Sequence, residues 1–379
     1  MHHDHAVRLT RVTRVIGPAL AVLLLAGVAA LAIVPRLRPA GDDKLVTVHA
    51  LVGSEKRSFL TDPEVVSVLA RAGYRLVVDT AGSREITTRT DLDAYDLVFP
   101  ANTPQADRIK QARGLTRSYS PFYSPMAIAT FRPIADLLAR AGVVHTDGPV
   151  ATFDMHAYLK LVRDHTRWSD LPGADAVYPT DRSVLIASTD VRTSNSAALY
   201  LALVSYVANG DEVVTERATA ERQAEFAAGL FERQGYLDNS TAEPFDEFLA
   251  MGMGKAPMVM IYEAQFLERV RAADGSISPD MLLLYPEPTI FARHTVVPLT
   301  DAGDAVGKLL STSPDLVRLA IRHGFRPSDP AAAAQARGQG AANAASAPPE
   351  LVNTAEPPSQ EISDLMIELI ADAYRTGTG

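Results

Sequence analysis

Cysteine is absent from the 379 residues. No disulfide can staple the chain, so stability in an oxidising compartment has to come from its core. A thiol nucleophile, a thiolate metal site and a lipid-modified cysteine are excluded by the same absence. Short motifs that carry chemistry are missing too: there is no G-x-S-x-G, no H-E-x-x-H, no Walker loop and no His pair at metal spacing. Gly252-Met253-Gly254-Lys255 comes nearest to a phosphate loop, but it lacks the hydroxyl after the lysine and reads as a turn. Tyr262, Glu263 and Asp190 have the chemistry of acids and bases, with no nucleophile or second carboxylate beside them in sequence. The expectation is a protein that is not an enzyme and holds no cofactor or metal. Clustered positive charge is lacking as well. The net charge of −9 is spread along the chain, which argues against nucleic acid as a partner.

What is present begins with an uncharged apolar run over residues 15–34. About 20 apolar residues rising roughly 1.5 Å each match a bilayer core of about 30 Å. Residues 1–14, with His2, His3 and His5, read as a cytoplasmic tail, and 35–43 as a polar linker. Two readings stay open. Ala30-Leu31-Ala32 has the form of a signal-peptidase site, so the segment is a cleaved signal in one of them. In the other, which the length of the run favours, it is a single-pass anchor through the bilayer. Both put the remaining domain outside the cytoplasm, at the cell membrane or secreted.

With 47% hydrophobic and 21% charged residues, that domain has the composition of a globular α/β protein with a sizeable core. Apolar runs at 45–52, 74–78 and 95–99 read as strands, each ending in a small polar loop that opens into a helix. This alternation predicts βαβ units and a parallel sheet. Residues 122–131 read as a long extended segment, 184–187 as a buried strand, 257–262 as another strand and 281–299 as a second extended segment broken by prolines. Helices are predicted at 62–72, 133–140, 156–164, 197–207, 218–234, 245–250, 265–272, 301–310 and 314–323. Residues 327–359 form a Pro/Ala-rich linker. A final amphipathic helix, 360–376, carries Ile362, Leu365, Met366, Leu369 and Ile370 at helical spacing.

The strand ends carry the strongest functional signal. Ser54, Ser83, Thr103 and the stretch Ser188, Thr189, Asp190, Val191, Arg192, Thr193, Ser194, Asn195, Ser196 all sit where a strand gives way to a helix start. Helix starts offer unpaired backbone N–H groups and roughly half a positive charge. Several of them converging beyond the carboxyl ends of parallel strands make a crevice for an anion or polar solute. One by one, the same residues are ordinary helix caps.

LVGSEK after the first strand, DTAGS after the second, SPMAIAT, STDVRTSNS before a helix, and MVMIYEAQF followed by YPEP occur in that order. In this order they resemble the type 2 periplasmic binding fold, in particular the molybdate- and sulfate-type extracellular solute-binding proteins. The resemblance implies an α/β fold of two lobes, 44–130 with 284–326 and 131–283, joined by two extended crossovers. It implies first-lobe contacts from Ser54 and Ser83, second-lobe contacts from Ser194 and Asn195, and a strand-ending tyrosine at Tyr262. Thr103, Ser188, Thr189, Arg192, Ser196 and Glu263 lie at the same address, although Asp190 and Arg192 are also placed to pair with each other. The function so implied is capture of a small polar or anionic ligand for an ABC-type importer or another membrane partner. The alternative is a scaffold or sensor that keeps the fold without transport.

Overall fold

A computed structural model describes residues 45–146, 150–234, 238–332, 334, 351 and 353–376. The apolar run 15–34 lies outside the described residues. Among those described, no helix is long and apolar enough to cross a membrane.

The chain enters on β1 (Val46–Val52), turns through a 3-10 segment at Ser54–Lys56 into α1 (Arg57–Thr61), and continues as α2 (Pro63–Arg71). Asp62 starts α2 by accepting from the N–H groups of Glu64 and Val65, and Pro63 occupies the first turn, where its missing N–H costs nothing. There follow β2 (Tyr74–Thr80), α3 (Ser83–Thr88), β3 (Leu97–Phe99) and α4 (Thr103–Arg113). β1 pairs in parallel with β2 on one side and β3 on the other. The carboxyl ends of the three strands therefore share one edge.

β4 (Tyr119–Phe131), 13 residues long, then carries the chain away. After it come α5 (Arg132–Arg140), β5 (Val144–His145), β6 (Thr152–Asp154), α6 (Met155–Arg163), α7 (Ala174–Val177), α8 (Asn195–Ala208), α9 (Arg217–Gln234), α10 (Ala242–Met251), β7 (Met258–Tyr262) and α11 (Glu263–Ala272). β8 (Met281–Glu287) and β9 (Phe291–Pro298) bring the chain back to α12 (Asp301–Thr312), α13 (Pro314–Arg322) and β10 (Arg326–Pro327). The last element is α14 (Gln360–Thr376).

The main strand order is β2-β1-β3-β9-β4-β8-β6-β5, with β7 and β10 also paired to β4. The sheet is mixed, which corrects the expectation of a parallel one. β9 returns from the far half and meets β3 and β4 antiparallel, and β7 and β8 also meet β4 antiparallel. Residues 184–187 are not a strand either. The Ile186 N–H is taken by the Tyr158 hydroxyl at 3.2 Å and the Val184 N–H by the Thr166 carbonyl at 3.0 Å. Only Ala187 is left to bridge to β7.

Two regions of core result. Val48, Val52, Phe59, Phe99, Phe122, Val296 and Leu316 pack around β1 and β3, with a smaller cluster of Leu51, Val98 and Ile109 on the other face. Met126, Ile128, Leu203, Phe231, Met260 and Leu284 belong to the larger second core. The division crosses β4 between Phe122 and Met126, and β9 between Ala292 and Val296. α14 lies against α9 and buries Met366, Ile367 and Ile370 in the second core. Its approach, residues 353–355, pairs with Thr289 through bonds of 2.9 and 2.7 Å, so this end of the predicted linker is structured.

Candidate functional site

The loop after β1, the start of α3, the start of α8 and the end of β7 meet at one small cavity. Ser54, Ser83, Ser194, Asn195, Ser196 and Tyr262 line it, with Glu55 and the segment Asn239–Thr241 completing the wall. Parallel β1 and β2 deliver the first two loops to a common edge, as their pairing requires. Gly82 lets the halves touch. A Cβ there would stand 2.6 Å from the Thr193 carbonyl oxygen and 3.2 Å from that of Asn239. The space they leave is about 10 Å³, room for roughly one water molecule.

The polar groups of this wall are linked into networks. Asn195 donates from Nδ2 to the Tyr262 hydroxyl at 3.1 Å, and its Oδ1 accepts from Asn102. Asn102 in turn caps α4 by accepting from the Gln105 N–H at 2.9 Å. Ser196 joins Thr189 and Ser194 by hydroxyl contacts of 2.8 Å each. Ser83 accepts from the Ala101 N–H at 2.9 Å. Ser194 precedes α8 without capping it by its side chain, which leaves the helix start open on the cavity side. The hydroxyls of Ser54 and Thr241 are buried with no partner among the described residues. Burial and the nearby Glu55 carboxylate push the Tyr262 phenol well above its ordinary value, outweighing the Asn195 bond. It stays a donor at neutral pH.

Beneath the wall lies a buried charged cluster. Glu55 pairs with Lys56, and His294 Nδ1 lies 3.3 Å from both the Glu55 carboxylate and Lys56 Nζ. The ammonium also sits 5.0 Å from the centre of the Phe99 ring. Burial alone would raise the Glu55 pKa, but Lys56 and His294 outweigh it and hold the carboxyl at about 2. Burial, aided by Lys56, pushes His294 down to about 4. Burial lowers the Lys56 pKa as well, with the Glu55 carboxylate opposing it.

No family model and no curated protein matches the chain by sequence. Solved structures do match. The apo ferric ion-binding protein A of Pasteurella haemolytica superposes with a TM-score of 0.55 at 10% identity, over 87% of this chain and 98% of that one. The iron-bound HitA of Pseudomonas aeruginosa gives 0.53 at 11% identity, over 86% and 99%. AfuA of Actinobacillus pleuropneumoniae, a periplasmic binding protein with fructose-6-phosphate bound, gives 0.50 at 10% identity, over 87% and 98%. The chain has the type 2 periplasmic binding protein fold.

Within that fold, five of the expected contacts are placed elsewhere. Glu263 is fully buried behind the wall, gripped by Arg326 at 2.7 and 2.6 Å and by the Tyr285 hydroxyl at 2.7 Å. A carboxylate so saturated is a structural ion pair. Arg192 forks onto Asp190, with bonds of 2.9, 3.0 and 2.5 Å, and lies over the Tyr374 ring. Thr103 lies off the wall, 3.4 Å from the Thr295 hydroxyl. Ser188 and Thr189 are buried behind it, the latter holding Ser196 in place. Sequence reasoning missed Lys56 and His294 as members of the site. Lys56 stood within the quoted LVGSEK, but nothing in the spacing linked it to a histidine 238 residues away.

Proposed function

We propose that the chain is an extracytoplasmic solute-binding protein that closes two lobes over a small polar or anionic ligand. Residues 15–34 tether it to the membrane, and it serves an ABC-type importer or another membrane protein. Its lobes are residues 44–130 with 284–326, and 131–283. The observation that carries the reading is the meeting of Ser54, Ser83, Ser194, Asn195 and Tyr262, from four separate strand ends and helix starts, at one cavity. Unpartnered hydroxyls on Ser54 and Thr241 supply bonds that a solute would complete; leaving such a group unmade costs about 1–3 kcal/mol. A space for one water does not hold a solute, so binding requires the halves to part and close again.

Thermal unfolding of the full chain in detergent, with sulfate, phosphate, molybdate, ferric ion and fructose 6-phosphate in turn, tests this. One class of solute is expected to raise the midpoint, and Ser54→Ala with Tyr262→Phe to weaken its binding about tenfold. No shift with any of them, nor with a small-molecule extract of the native cells, overturns the reading. The scaffold or sensor reading would then lead. It is favoured by one feature, the presence on the crevice wall of the protein's own Glu55, already paired with Lys56 behind it.

A further inference from the structure

Among the residues that line the crevice, Glu55 is the one that carries a charge. Every polar neighbour on that wall is a hydroxyl or an amide, able to donate to an anion. Lys56 lies behind it, fully buried. An ammonium in that position costs several kcal/mol unless a charge or hydrogen-bond acceptor meets it, and in this structure the adjacent carboxylate does so. The loop is built for the contact. A Cβ on residue 53 would stand 2.6 Å from both Glu55 carboxylate oxygens and 2.8 Å from Lys56 Nζ, so glycine there leaves room for the carboxylate to fold back over its own turn.

The two partners are held unequally. Both reach His294 at 3.3 Å, but Lys56 is also packed against the Phe99 ring, whereas Glu55 alone of the two lines the small space of the crevice. Swinging Glu55 outward as the crevice opens would leave an ammonium and the Tyr262 and Ser54 hydroxyls around one point. The start of α8 and the unpartnered Thr241 hydroxyl, itself buried, would join them. That set suits a small oxyanion or carboxylate.

We propose that Glu55 is a resident stand-in for an anionic ligand, which displaces its carboxylate from Lys56 when it binds. This rests on the solute-binding reading above, and it makes Glu55 a specificity-determining residue. An anion must compete with an attached carboxylate at very high local concentration, so weakly coordinating anions are rejected and a divalent or bidentate one is selected.

The test is calorimetric titration of the full chain and its Glu55→Gln and Lys56→Met variants with sulfate, phosphate, molybdate and fructose 6-phosphate. Glu55→Gln is expected to bind the preferred anion at least tenfold more tightly than the parent, and Lys56→Met to lose that anion. Equal or weaker binding by Glu55→Gln, with the parent still binding, overturns the displacement while leaving solute capture standing. Binding of no anion by parent or Glu55→Gln, with binding of ferric ion by the parent in the thermal panel, overturns the displacement while leaving solute capture standing. Absence of binding by parent and Glu55→Gln alike overturns both. Should the variants fail to fold, the carboxyl ¹³C signal of labelled Glu55 in the parent decides. It is expected to move at saturating anion, and a fixed signal contradicts the exchange.

Discussion

At residue 82 a hydrogen atom stands where any other side chain would begin, and the two halves meet there. The backbone, at φ −59 and ψ 138, suits alanine as well as glycine, so the restriction is one of contact alone. Gly82→Ala is therefore expected to leave the secondary structure intact while separating the turn before α3 from Thr193. Overpacking of this kind costs about 1–3 kcal/mol. Faster amide exchange at Arg84, whose N–H bonds the Thr193 carbonyl at 3.3 Å, would register the separation; exchange unchanged from the parent would contradict it. The buried cluster sets a pH dependence. His294 has a folded pKa of about 4 against an ordinary 6.5, so the unfolded chain takes up that proton first as the pH falls. Glu55, at about 2 against 4.5, acts in the same sense at lower pH. Both remove stability on acidification, between about 6.5 and 4 for His294 and between about 4.5 and 2 for Glu55. Denaturant midpoints of His294→Gln should lose the upper part of this slope. His323, held by Glu268 and Asp62 against the effect of burial, is raised and opposes it, its contribution fading as the pH rises through the folded value.

Among the elements, α14 touches both halves of the molecule. Its apolar face enters the second core, while Asp364 on the same helix accepts from Arg84 at 2.8 Å and Arg108 at 2.9 Å. Those arginines lie on α3 and α4, which belong to the first half. Removing residues 360–379 is expected to lower the melting temperature, because burying each of Met366, Ile367 and Ile370 contributes about 1.5–3 kcal/mol before entropy. Asp364→Ala should cost much less and mainly loosen the contact between halves. Equal melting temperatures for the truncation and the parent would mean that the helix does not dock. This helix was legible in sequence because its spacing follows one face. β1, β2, β7 and the strand-end hydroxyls were legible for the same local reason, a run of apolar residues followed by a turn. The failed strand at 184–187 has the same local signature. What decides against it is the distant Tyr158 hydroxyl and Thr166 carbonyl that take its N–H groups. Glu263 was misplaced likewise, since its partner Arg326 is 63 residues on.

Across the whole molecule, β4 on the way out and β8 with β9 on the way back link the two regions of core. The strand-end hydroxyls that line the crevice lie on either side of this link, so solute capture by closure would require these strands to bend. The cysteine-free chain suits a direct measurement of that motion. Spin labels on Gln111→Cys in α4 and Glu225→Cys in α9, both exposed positions, report the separation of the halves by pulsed electron resonance. Solute capture by closure predicts a broad or double distance distribution in solute-free protein that collapses to its shorter component when the stabilising solute is added. A single distance, the same in solute-free protein and with every solute of the panel, would contradict it.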